Sequence, residues 1–82
     1  MAEARSEVEA AIAALASGDV DGARVAITHA VALDPRLNAV ADAVAHACDE
    51  LEQEGELSPE AWNILADACP PDLRRVVEAW RR

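Results

Sequence analysis

The sequence predicts an all-α protein, a small bundle of about five helices joined as antiparallel hairpins. Alanine supplies much of the 52% apolar content, Phe and Tyr are absent, and only three of the 82 residues are Gly. That composition favours helix, because alanine loses no side-chain rotamer entropy there. Apolar positions recur three and four apart, the period of one helix face. Asp34-Pro35 and Ser58-Pro59 each set a capping side chain before a proline, which suits a helix start because the first N–H has no intrahelical partner.

A first helix is expected over 3–16, with Ala4, Val8, Ala11, Ile12 and Leu15 as its buried stripe. Gly18 suits the left-handed residue that closes a helix, and Asp19 suits the cap of the next one. So short a link forces the second helix antiparallel to the first, and residues 3–34 read as a helical hairpin. The second helix carries Val20, Ala23, Ile27, Ala30 and Val31 on one side and Val25, His29 and Ala32 on the other. Two apolar sides predict a helix sandwiched between neighbours.

Residues 35–54 form the longest helix, with Leu37, Ala41, Val44, Cys48 and Leu51 inward and Asn38, Asp42, His46, Asp49 and Gln53 outward. Gly55 ends it. A shorter helix over 58–69 directs Ala61, Trp62, Leu65 and Cys69 inward, and Pro70-Pro71 separates it from a last helix over 71–82. There Leu73, Val76, Val77 and Trp80 make the buried side and the arginines point outward. No shift in composition divides the chain, so 1–82 reads as a single domain.

The net charge of −9 argues against a nucleic-acid partner, which requires a concentrated basic face. The charge is uneven: residues 70–82 hold four arginines against two carboxylates, net +2, leaving −11 for residues 1–69. An acidic body with a basic tip suits a basic partner or head-to-tail stacking of copies; a solvated acidic surface that keeps a small protein soluble accounts for the same charge. A chain this short buries a low fraction of its surface on folding, so association would add to its stability. No basic-then-apolar leader opens the sequence and no apolar run approaches the ~18 residues of a membrane span. The expectation is a cytoplasmic protein without a membrane partner, its two cysteines reduced.

Ala23, Ile27, Ala30 and Pro35 fall at the intervals that the tetratricopeptide repeat uses for its second helix and the following turn. Ala11 lies at that repeat's small-residue position and Gly18 at its inter-helix turn, so the stretch from Ala4 to Leu37 resembles one tetratricopeptide-type hairpin. Glu7, Ala10 and Ala14 stand where the family has Trp, Leu and Tyr. Ala61, Leu65 and Ala68 repeat the spacing of Ala23, Ile27 and Ala30, although Pro70 arrives early for a second copy. The resemblance implies a protein-interaction module, acting as an adaptor or accessory subunit and, with so few repeats, self-associating or docked on a larger assembly.

Motifs for chemistry are sparse. The length and acidity invite comparison with acyl carrier proteins, but Ser6, Ser17 and Ser58 all lack the Asp-Ser-Leu context of a phosphopantetheine site. Asp42, His46, Asp49 and Glu50 share one helical side, and a carboxylate–histidine pair is the grouping that serves as general base or metal ligand. A small helical tailoring enzyme using His46 with Asp42 or Glu50 is therefore the alternative to an interaction module; a solvated polar stripe accounts for the same residues with fewer assumptions. His29 reads as a packed or hydrogen-bonded histidine. Cys48 and Cys69 lie on apolar stripes and read as inert core thiols. No zinc knuckle or Gly-rich phosphate loop occurs, and no cofactor is expected.

The expected contact surface is the C-terminal helix. Trp62 and Trp80 are the only aromatic residues, and Trp80 stands on the one basic element with Arg74, Arg81 and Arg82. Tryptophan and arginine are enriched where interfaces concentrate their binding energy. Trp80, Arg74, Arg81 and Trp62 are accordingly the candidate interface residues.

Overall fold

A computed structural model describes residues 2–81 of the chain, and the side chains of residues 3–80. Five α-helices, and no strand, occur among the described residues: α1 (Ala2–Ala16), α2 (Val20–Leu33), α3 (Asn38–Glu54), α4 (Pro59–Ala68) and α5 (Pro71–Arg81). The all-α expectation is met. No helix among them is long and apolar enough to cross a membrane.

The α1–α2 corner forms where the sequence places it. Gly18 adopts φ +80°, a conformation that strains any residue bearing a Cβ. This geometry lets the Asp19 N–H reach Ala14 O at 2.8 Å and the Gly18 N–H reach Leu15 O at 3.2 Å. Those two bonds satisfy carbonyls that the end of α1 would otherwise leave unpaired. Asp19 then caps α2, its carboxylate accepting the Gly22 N–H at 3.0 Å. A Cβ at residue 22 would meet that carboxylate, which would have to turn away from its capping position.

The two helices of this hairpin share the most extensive packing in the molecule. Ala11 and Ile12 of α1 and Ala23 and Ala30 of α2 are fully buried. Small side chains at these positions allow two backbones to approach closely, and the packing density of a protein interior leaves little spare room there. His29 Nδ1 lies 3.5 Å from Glu7 Oε2 across the same pair.

Three expectations require correction. The helix over 35–54 is two elements, because Pro35–Leu37 forms a 3-10 turn and α3 starts at Asn38. The cause is local: Asp34 accepts the Arg36 N–H at 3.1 Å and its guanidinium at 2.9 and 3.0 Å, which tightens the backbone into an Asp34 O to Leu37 N–H bond of 3.0 Å. The same contacts with Arg36 hold the Asp34 carboxyl below its usual range. Second, α2 is not covered on both apolar sides: Val25, His29 and Ala32 are exposed, because α1 and α3 both pack on the face carrying Ala23, Ala26, Ile27 and Ala30. Third, Trp80 does not join the buried side of the last helix; it remains 51% exposed while Leu73 and Val77 are buried.

The buried surface of α3 is broader than one stripe. Val40, Ala43 and Ala47 are buried alongside Val44, Cys48 and Leu51, because α4 packs against α3 in addition to α2. The outward side is as expected, with Asn38, Asp42, His46, Asp49 and Gln53 all exposed. Finally α5 returns to pack on both α4 and α1, and an Arg5–Asp72 ion pair joins it to α1. The helices therefore close on themselves around one core with members from all five. This closure brings the ends of α1, α3 and α5 together.

Candidate interaction surface

At that end of the bundle an open cleft of about 380 Å³ contains both tryptophans of the chain. Trp62 enters from the first turns of α4 and Trp80 from the last turn of α5. Leu15, Leu51 and Leu57 supply further apolar lining, and Gly18, Gly55 and Glu56 come from the two adjoining turns.

The position of Trp62 follows from how α4 begins. Ser58 is the N-cap, its hydroxyl accepting the Ala61 N–H at 3.2 Å. Leu57 directly precedes the cap and Trp62 is the fourth helical residue, the two positions whose apolar side chains pair to set a helix's entry angle. Both are half-buried against the core and both line the cleft. Leu57 is thus a surface-building residue that the sequence reading passed over, although the Leu-Ser-Pro-Glu-Ala-Trp spacing carries the signal.

Glu50 completes the same corner. In a common arrangement the third helical residue is Glu or Gln and reaches back to the N–H of the cap residue. Here that residue is Ala61, and Glu50 of α3 performs the task from a neighbouring helix, accepting the Ser58 N–H at 2.7 Å. The bond from Ser58, with His46 nearby, holds the Glu50 carboxyl below its usual range. Gly55, at φ +83°, ends α3 with its N–H on Leu51 O at 2.9 Å. The turn carrying Glu56 and Leu57 is therefore fixed at both ends.

Two of the helix ends at the cleft, those of α1 and α3, and Glu56 add negative potential to its rim, while the third helix, α5, ends on Arg81. The C-terminal ends of α1, α3 and α5 converge on the rim, and each helix C-terminus carries roughly half a negative charge from its aligned peptide dipoles. Neither α1 nor α3 has a basic residue in its last turn to offset this. Beyond Glu56 the surface continues into a depression of about 650 Å³ bordered by Asp49, Glu54 and Glu60. Arg24 of α2 engages Asp49 at 3.3 Å and Glu52 at 2.6 Å, on the exposed α2–α3 seam.

The structure brings Trp62 and Trp80 together and leads Arg74 elsewhere. The Arg74 guanidinium donates to Ala66 O at 3.0 Å, which also accepts the Cys69 N–H at 3.2 Å, and to Cys69 O at 3.5 Å, so it serves carbonyls at the end of α4. Arg81 ends α5 directly after Trp80; its side chain, like all of Arg82, lies outside the described part of the structure. Asp42, His46, Asp49 and Glu50 share a helix but not a task. Asp49 pairs with Arg24 and Glu50 with Ser58, while Asp42 and His46 are exposed. Among the described residues no three His, Cys, Asp or Glu side chains are grouped so as to hold a metal ion.

Both cysteines are free and buried. Burial pushes the Cys69 thiol up to about 11 and raises that of Cys48 as well. A separate groove of about 450 Å³ runs between α2 and α3, lined by Ile27, Val31, Ala41 and Val44 with Arg24 and Asp42, and it contains no aromatic side chain.

In comparisons with known proteins, no family model matches the chain, and neither a curated protein sequence nor a solved structure does so.

Proposed function

We propose that the protein is a small helical interaction module that engages a protein partner through the Trp62–Trp80 cleft, as an adaptor or accessory subunit. One observation carries this reading: the only two aromatic residues of the chain lie in one open cleft, and Trp80 keeps 51% of its surface exposed there. A large indole left half in water forgoes much of its burial free energy, at about 25 cal/mol per Å², and a docked partner would recover it. Tryptophan in a pocket that a partner dries is also a typical centre of binding energy.

The tetratricopeptide-like spacing of the α1–α2 hairpin belongs to the same proposal. It supports an interaction role rather than a catalytic one. Catalysis at His46 with Asp42 or Glu50 has less in its favour, since Glu50 already holds the Ser58 N–H and both His46 and Asp42 are exposed on the outward side of α3.

The test is co-purification from the source cell with tagged wild-type protein and the Trp80→Ala variant, each checked for native circular dichroism. The reading expects a chain held by the wild type, either another protein or an untagged copy, to be lost from the variant. Identical co-purifying sets would refute it.

A further inference from the structure

We infer that the occupant of the cleft is a second copy of this chain, docked two-fold so that each copy offers its Trp80-Arg81-Arg82 segment to the other. This rests on the interaction reading above and names its partner. The cleft asks for an apolar side chain followed by positive charge: its lining is Leu15, Leu51, Leu57 and Trp62, and its rim combines the C-termini of α1 and α3, neither with a basic residue in its last turn, with Glu56 and, beyond it, Glu54. The chain contains such a segment, an aromatic residue followed by two arginines, on its only basic element.

Placement then selects the symmetry. A two-fold interface uses one patch on both copies, so the patch has to hold both members of every complementary pair. Trp80 borders the same cleft that Trp62 and Leu57 line, and Arg81 follows it at the end of α5, so acceptor and donor lie at one end of the molecule. In a two-fold pair the indoles meet at the centre, and the basic C-terminal end of each α5 comes to the turn of the other copy that carries Glu54 and Glu56. The uneven charge of the sequence, acidic over residues 1–69 and basic over 70–82, becomes matched rather than repelling across such a contact.

Sedimentation equilibrium on the full chain tests this with four proteins: wild type, Trp80→Ala, Arg81→Glu/Arg82→Glu, and Glu54→Arg/Glu56→Arg. The wild type is expected to be a dimer whose dissociation constant rises with salt, because exposed charge pairs are screened. Each variant is expected to dissociate at least tenfold more readily. An equimolar mixture of the two charge-reversed variants should restore dimers, since both halves of the mixed interface regain opposite charges, whereas each variant alone opposes like charges. Should Trp80→Ala fail to fold, the charge-reversed pair still decides the matter.

A wild type that stays monomeric up to about 1 mM, a binding free energy weaker than roughly −4 kcal/mol, overturns the inference. So does a dimer indifferent to both charge reversals, or a mixture that does not reassociate. The two readings fail separately. A monomeric wild type that loses a co-purifying protein on Trp80→Ala overturns the dimer and leaves the interaction module standing; a monomer whose co-purifying proteins ignore Trp80→Ala overturns both.

Discussion

Replacing Ala23 by leucine adds three carbon atoms between α1 and α2, in the first turn after their corner. With room available, burying three more carbons would gain about 2.4 kcal/mol, at about 0.8 kcal/mol per methylene. There is none: Ala23, Ala11 and Ala30 have no exposed surface, and Ile27 is 6% exposed. The longer isobutyl side chain has to push α1 and α2 apart or adopt a strained rotamer. The net effect is a loss of about 1–3 kcal/mol. An 82-residue protein has only about 4–12 kcal/mol of stability, so the fraction at stake is large. For a loss of about 2 kcal/mol, Tm should fall by about 8–16 °C in a circular-dichroism melt. Ala32→Leu is the control, since Ala32 lies on the exposed side of α2 and the same change there should stay within about 0.5 kcal/mol of wild type. Equal melting temperatures for the two variants would refute the close approach of α1 and α2 at Ala23.

Two further outcomes follow from the core and the α3–α4 corner. Cys48 and Cys69 are buried and their thiols are raised above the usual range, so both should resist a thiol reagent in native protein at neutral pH and react at once in denaturant; prompt labelling of the native protein would place either thiol at the surface. Glu50 is depressed in the folded state by its bond from Ser58, so its contribution is present above the ordinary carboxyl range and is lost as pH falls through the lower native value. Glu50→Gln should therefore flatten the acid side of a Tm-against-pH curve and leave its neutral-to-alkaline side parallel to wild type; an unchanged acid slope would show that the Glu50 charge does not stabilise the corner.

The elements that the sequence reading placed well are those set by neighbours along the chain. Gly18 with Asp19, Gly55, and Ser58 with Pro59 each act within a few residues, through a left-handed backbone or a side chain that takes a nearby N–H. Asp34 and Pro35 likewise act as cap and first residue, but the turn they open is 3-10, with Arg36 bonded to the Asp34 carboxylate, and the spacing of apolar residues is blind to that pairing.

The proposed interaction surface divides along the same line. The nature of its parts was in the sequence: two tryptophans, a basic last helix, an acidic remainder, and a Leu57–Trp62 spacing that fixes how α4 starts. Their meeting was not. Trp80 reaches the cleft of Trp62 because α5 turns back onto α1, a contact between the two ends of the described chain that no local pattern encodes. Periodicity likewise showed that Val25 and Ala32 form an apolar side of α2, but whether a neighbour covers that side depends on where α1 and α3 settle. Arg74 reads as a surface charge until α4 and α5 are set side by side and its guanidinium meets the carbonyls of Ala66 and Cys69. Helix starts and stops are decided within a turn or so of backbone, where each N–H must find its acceptor, so residue types determine them. Which faces are covered, and which side chains share a cleft, is decided by the free energy of burying the whole apolar surface at once, and only the packed chain expresses that sum.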